Sequence, residues 1–243
     1  NTFTLTHFLG SSNNEMAWFA VSEDDIKNNP KTNYNDPNDD DNFTQTFVSL
    51  EHKKWFNSNH QLKTSVFFNY LNGEWDLTLG DKLNFRLQSR FYGIVSNYTY
   101  KKDNLTANIG VSGNMYNRRH AMTILPNKDE LYSNTGFKNE VSSFVKFGYD
   151  INKFTLFGDA QVRYVDFKYQ GDMNMTPFNW TFFNPKGGIM FTQCKHYNFY
   201  ASVGQSHREP TRNDIFMGED NPINYTSVNP ESVVDYELGT NIN

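Results

Sequence analysis

The stretch ASVGQSHREPTRNDIF, residues 201–216, brings Ser206, His207, Arg208, Glu209, Arg212 and Asp214 into one short span. Such a set first suggests a nucleophile beside its base. Ser206 and His207 are adjacent, however, and adjacent side chains of a strand point to opposite faces, so they are not set to act as such a pair. The chain has no Gly-x-Ser-x-Gly elbow and no phosphate-cradling loop. His7, His52, His60, His120, His196 and His207 are scattered, and none stands at the close His and carboxylate spacing that holds zinc. In NYNDPNDDDN, residues 33–42, Asp36, Asp39, Asp40 and Asp41 crowd together. The glycine and closing glutamate of a calcium loop are missing there, so the run reads as a solvated loop whose like charges oppose aggregation. No catalytic residue, metal site or cofactor is expected. Arg208, Glu209, Arg212 and Asp214 remain as charged candidates for structural contacts. Glu237 alternates with Tyr236 and Leu238 and is a candidate partner for Arg208.

These charges must be carried by strands. Ala201, Val203, Gln205 and His207 alternate with Ser202, Gly204, Ser206 and Arg208 until Pro210 ends the pattern. The clearest periodic piece is residues 104–117, where Leu105, Ala107, Ile109, Val111, Gly113 and Met115 oppose Asn104, Thr106, Asn108, Ser112 and Asn114. Just before it Leu83, Phe85, Leu87, Phe91 and Val95 oppose Asn84, Arg86, Gln88 and Arg90, and the polar YKKDN between the two pieces reads as a hairpin turn. Residues 43–56 and 61–72 form a similar pair, as do 138–149 with 154–168 and 181–193 with 197–208. Partial strands are expected at 3–9 and 233–242. The turns at 57–60, 101–103, 150–153 and 194–196 are short, whereas 10–42, 118–137, 170–180 and 209–232 read as long loops and 73–82 as a modest join. Consecutive antiparallel strands alternate direction, so the short turns gather at one end and the long loops at the other.

Composition agrees with long aromatic strands: aromatics are 16% of the 243 residues, including 22 Phe and 14 Tyr, and only 20% are charged. A net charge of -5 and the absence of a basic patch argue against nucleic acid as a partner. Cys194 is alone, so no internal disulfide forms. There is no apolar run of about 18 residues for a membrane helix, and the opening NTFTLTHFLG is not a signal peptide, but neither point bears against a barrel in an outer membrane. Strand length discriminates. Soluble strands run to about 5–6 residues and bilayer-crossing strands need about 9–11. The expected fold is all-β: an antiparallel, long-stranded meander that forms part of a transmembrane β-barrel. Lipid would cover Leu105, Ile109 and Val111, and a wet lumen Asn108, Ser112, Arg86 and Arg90. Tyr98 and Tyr100 read either as interfacial or as plain strand-end aromatics. The alternative is a soluble or surface-exposed β-sheet protein that binds carbohydrate or adheres, favoured by aromatic loops but not by strand length.

FFNPKGGIMF, NFYASVGQSHREPTRNDIF and NPESVVDYELG, in that order and spacing, resemble the Asn-Pro-Lys strand start, the Arg-Glu-Pro strand end and the Tyr-Glu-Leu-Gly strand of TonB-dependent outer-membrane receptors of the Bacteroidetes type. DDDNFTQTFVSLEHKKWFNSNHQLKTSVFFNYLNGEW resembles that family's mid-barrel hairpin. The resemblance implies a nutrient receptor and transporter, most often for iron-siderophore uptake, energised by the TonB complex through an N-terminal segment. It also implies a plug domain and a barrel of 22 strands. About ten strand segments are present and no plug, so residues 1–243 are expected to be a barrel section that would not transport by itself; either the chain is one part of a longer receptor, or its open edges pair with another copy. In that setting Arg208 would project into the lumen to meet a plug carboxylate, an anionic substrate or Glu209; Arg212, Asp214 and Glu237 would serve architecture and plug packing. Trp18, Tyr34, Trp180 and Tyr225 are the candidate ligand-facing aromatics of the loops.

Overall fold

The computed structural model describes residues 1–194, 197–217, 221–222 and 228–242. Ten strands make one antiparallel sheet: β1 (Thr2–Glu15), β2 (Asp40–Asn57), β3 (His60–Leu79), β4 (Asp81–Lys102), β5 (Leu105–Leu125), β6 (Asp129–Ile151), β7 (Phe154–Gly171), β8 (Phe178–Cys194), β9 (Tyr197–Arg208) and β12 (Glu231–Ile242). Each pairs with its neighbour in sequence, and β9 with β12. The remaining elements are short: helix α1 (Glu23–Asn28), helix α2 (Arg212–Ile215), and β10 (Phe216–Met217) paired with β11 (Asn221–Pro222). Among the described residues no helix is long and apolar enough to cross a membrane.

The short turns do lie together. The Lys101 amide donates to the Asn59 carbonyl at 2.9 Å, Asp150 to Asn104 at 2.9 Å and Thr192 to Lys153 at 2.7 Å, which ties each hairpin turn to the next. Asp103 and Asn152 take the left-handed conformation that lets such a turn close. The turn at 194–196 falls partly outside the described residues.

The loop end differs from the sequence expectation. Residues 118–137 are not a loop: β5 and β6 run to 21 and 23 residues and close at Pro126, Asn127 and Lys128. The join at 73–82 shrinks to Gly80, whose φ of +92° suits glycine. Residues 10–15 and 40–42 are likewise strand. Polar residues such as Arg118, Arg119 and His120 hid this continuation, because a strand that rises beyond the bilayer no longer needs an apolar face. At about 3.3 Å per residue, 20 residues span far more than the roughly 9–11 residues of a bilayer crossing.

The faces follow the register. One carries Leu5, Leu50, Val66, Ile94, Val111, Val141, Val162 and Leu238, all substantially exposed. The other carries Asn108, Ser112, Ser142, Asp159, Gln161 and Glu237, and its Ser112 and Ser142 hydroxyls bond at 2.7 Å. A soluble sandwich would cover the apolar face with a second sheet. Here the few buried apolar residues, such as Tyr169, Met175, Ile215 and Phe216, sit at the loop end instead. A one-layer sheet with an uncovered apolar face is the wall of a membrane barrel. Arg86 and Arg90 correct the expected lumen assignment. They share the face of Tyr92 and Ile94, while Phe85, Leu87 and Phe91 point to the polar side. There Trp75 stacks on Phe85 at 5.1 Å and Phe91 meets Phe67 at 5.0 Å. Tyr98 and Tyr100 lie on the apolar face near the short-turn end, clustered with His60.

Candidate functional site

Pro185 opens the site. It has no N–H, and the β8–β9 ladder runs only from Cys194 and Tyr197 to Lys186 and Gly204, stopping beside it. In the gap, the Asn184 side-chain oxygen accepts the His207 amide at 3.1 Å and lies 3.0 Å from the His207 ring Nδ1. The His207 ring lies flat on Phe182, with centroids 5.7 Å apart.

Arg163, from β7, crosses the same gap. Its guanidinium donates to the His207 carbonyl at 3.2 Å, to Glu209 Oε2 at 2.7 Å and to Glu140 Oε2 at 3.0 Å, and rests 5.0 Å over the Phe182 ring. Lys138 takes the other oxygen of Glu209. Burial works against the Glu209 carboxylate, but the bond from Lys138, its own backbone amide and the two nearby cations outweigh it and hold its pKa below the usual carboxylate value. Glu209 is therefore the rivet by which the loop after β9 is fastened to the polar face of β6 and β7.

Beyond the rivet, Pro210 ends the strand. The Asp214 carboxylate accepts from the Thr211 amide at 2.6 Å and hydroxyl at 2.7 Å, which closes the turn into α2; these bonds lower the Asp214 pKa. Ile215 and Phe216 then pack with Tyr169 and Met175, and Arg212 lies 5.2 Å over Phe216. Between loop and wall is a recess of about 320 Å³, bordered by Lys138, Trp180, Arg208, Glu209 and Arg212.

Trp180, Arg208, Glu209 and Arg212 are thus brought together, with Asp214 behind them. Trp180 belongs to β8 rather than to a loop, stacked on Phe178 at 5.6 Å. Arg208 pairs with neither Glu209 nor Glu237. Its partner is Glu231 at 2.8 Å, directly opposite on β12. Glu237 is on the polar face as expected, but six residues along that strand, where it meets Lys186 at 3.2 Å and the Ser202 hydroxyl at 2.9 Å. Tyr225 lies outside the described residues.

Trp18 and Tyr34 sit on a separate loop, residues 16–39, and are exposed. The Asn35 side-chain oxygen accepts the Trp18 amide at 2.7 Å, and the Tyr34 hydroxyl donates to Asp25 at 2.9 Å. Bonds from Ser22 and then Tyr34 hold the Asp25 carboxyl below its usual pKa. The acidic run is only partly a solvated loop. Asp39 is 1% exposed, and its carboxylate takes the Thr78 amide at 2.9 Å and hydroxyl at 2.7 Å. Among the described residues no group of His, Cys, Asp and Glu is placed to hold a metal ion. Sequence reading missed Arg163, Lys138, Glu140 and Asn184 as partners. Their signal was polar-face phase: Arg163 follows Asp159 and Gln161 at alternate positions, and Lys138 precedes Glu140 in the same way.

Solved structures share this fold at low identity. The unliganded ferric citrate transporter FecA matches with a TM-score of 0.77 at 14% identity, over 98% of this chain and 38% of its own. The siderophore receptor PiuA of Acinetobacter baumannii matches at 0.77 and 12%, over 98% and 44%. The copper transporter OprC matches at 0.72 and 13%, over 87% and 38%. The chain thus spans well under half the length of these proteins. No curated protein matches it. The model of the family described as TonB dependent receptor-like, beta-barrel, matches residues 1–243, and the chain belongs to that family, whose members are outer-membrane receptors and not enzymes.

Proposed function

We propose that the receptor containing this chain imports a scarce nutrient across the outer membrane, with iron held by a small anionic chelator as its cargo, and that the chain is a section of the barrel wall. The recess between loop and wall carries this reading. Lys138, Arg208 and Arg212 outnumber Glu209 along its border and Trp180 adds a flat apolar surface, a combination suited to an anionic, partly aromatic chelate. The fold does not choose the metal, since iron carriers and a copper transporter share it. Trp18 and Tyr34 are proposed as further contacts on the first loop, and the polar face around Arg163 and Glu237 as the surface that meets a plug. Energy would come from the TonB complex through a segment outside this wall. The NPK, REP and YELG motifs support a receptor of the Bacteroidetes type.

The test is iron-limited growth and iron uptake by cells carrying the full-length receptor, supplied with ferric citrate, a ferric catecholate or a ferric hydroxamate. Replacement of residues 209–230 by a short glycine-serine turn, with assembly checked by heat-modifiable migration, is expected to abolish uptake of the one complex that supports growth. Uptake unchanged in an assembled replacement would reject the recess, and recovery of the receptor wholly in the soluble fraction would reject the transporter.

A further inference from the structure

The turn end of the wall is basic, although the chain as a whole carries a net charge of -5. The hairpins β2–β3, β4–β5 and β6–β7 bring Lys53, Lys54, Lys101, Lys102 and Lys153 to their closed ends, against the acids Asp103 and Asp150. Asp150 is occupied by the Thr155 hydroxyl at 2.5 Å, and Glu51 just above is taken by Lys63 at 2.7 Å. None of these turn lysines has an ion pair among the described residues. The opposite end has the reverse balance. In the loop of residues 16–39, Glu23, Asp24, Asp25, Asp36 and Asp39 face only Lys27 and Lys31.

The lysines stand on a stiff rim, because backbone bonds tie each turn to the next, from Lys101 to Asn59 and from Asp150 to Asn104. Neighbouring turns are two strand spacings apart, about 10 Å, so three turns spread the charge over roughly 20 Å. Cations spread in this way suit an extended polyanion and not a small ion, which needs them gathered at one point. The register divides them between the faces of the wall. Lys54 and Lys102 continue the apolar face, opposite Leu62 and Leu105, whereas Lys53 and Lys101 continue the polar face, opposite Lys63 and Thr106. A lipid head group reaches only the first pair. A partner that meets both pairs lies beneath the wall, on the periplasmic side where short barrel turns emerge. Lys53 lies 5.8 Å over the Trp55 ring and Lys54 4.8 Å over Phe56, which steadies both side chains, and Trp55 is still 54% exposed. A flat indole beside an ammonium suits a sugar ring that bears a carboxylate.

We propose that this rim docks the cell-wall glycan, with Lys53, Lys54, Lys101 and Lys102 against the carboxylates of its peptide stems and Trp55 against a sugar ring. The test is sedimentation of the full-length receptor, in detergent, with purified cell-wall sacculi and with sacculi whose carboxylates have been amidated. The wild type should pellet with native sacculi and stay in solution with amidated ones, and 1 M salt, at a Debye length of about 3 Å, should release it. Lys53→Gln, Lys54→Gln, Lys101→Gln and Lys102→Gln together should cut the pelleted fraction about fivefold, while arginine at those four positions should keep it. Lys53→Gln with Lys101→Gln, on the polar face alone, should cut it about twofold, and Trp55→Ala should lower it too. Heat-modifiable migration verifies assembly of every variant. Equal pelleting with amidated sacculi, four glutamines without effect, or an unchanged Trp55→Ala would overturn the proposal. Loss confined to Lys54→Gln with Lys102→Gln would overturn it as well, and would assign these lysines to lipid head groups.

Discussion

Two loops stand at the same end of the wall and are held in opposite ways. Residues 16–39 carry most of their own bonds: Ser22 and Asp25 cap α1, Asn35 gathers the Trp18 and Phe19 amides, and Lys27 pairs with Glu23. This loop reaches the wall at its end, where Asp39 takes the Thr78 amide and hydroxyl and the Asn38 carbonyl accepts from Lys82 at 2.7 Å. Residues 209–217 carry little of their own beyond the Thr211 turn and are held by the wall, through Glu209 to Lys138 and Arg163 and through Ile215 and Phe216 against Tyr169. A loop that carries its own bonds keeps its shape when the wall is altered. A riveted loop depends on a few distant side chains, and those side chains can release it.

Arg163→Met should give the largest effect. It strips Glu209 and Glu140 of a partner and leaves the His207 carbonyl without its side-chain donor, in a site where 15% of the Arg163 side chain still meets water. Removing one member of a buried ion pair costs about 3–5 kcal/mol, and the partial exposure reduces this to roughly 2–3. Hydrogen exchange should speed up at residues 209–217 and stay unchanged at 16–39. Equal loosening of both loops would break the contrast.

Asp39→Ala should come next and do the reverse. It leaves the Thr78 amide and hydroxyl without their carboxylate at a buried position, which costs roughly 1–3 kcal/mol. Exchange should rise at 36–40 and at the end of β3 and not at 209–217. The α1 amides, capped from within, should keep their protection.

The sequence made the wall legible because one rule, alternation, repeats along every strand. The short turns are legible for the same reason, as polar breaks such as YKKDN. Phase was misread on β4, where Phe85, Leu87 and Phe91 looked like the lipid face. Above the bilayer neither face meets hydrocarbon, so the aromatics stack inward and Arg86 and Arg90 face out. The rivet was not legible in its partners. Glu209 and Arg163 are 46 residues apart and Glu209 and Lys138 71. Their meeting depends on register across β6 to β9 and on the gap beside Pro185. The motif marked where the loop leaves the wall without revealing what holds it.

Acid should give the smallest effect, and its direction sharpens the same contrast. The Glu209 pKa is lowered in the folded receptor, so its ion pairs contribute in full above the unfolded carboxylate value, about 4.3, and are lost as pH falls through the lower folded value. Between pH 7 and 5 the protection of residues 209–217, corrected for intrinsic exchange, should not change. Below about pH 4 it should fall, because a protonated Glu209 keeps a hydrogen bond but no longer offers charge to Lys138 and Arg163. Arg163→Met has already lost most of that stabilisation, so its loop should show a weaker acid response. Asp25 and Asp36 are lowered too, but by bonds from Ser22, Tyr34 and Asn38 in their own loop, so their protonation should loosen 16–39 without touching 209–217. A wild-type transition at 209–217 centred above pH 5, or one equally large in Arg163→Met, would mean that a titrating group other than Glu209 governs the acid response of the loop.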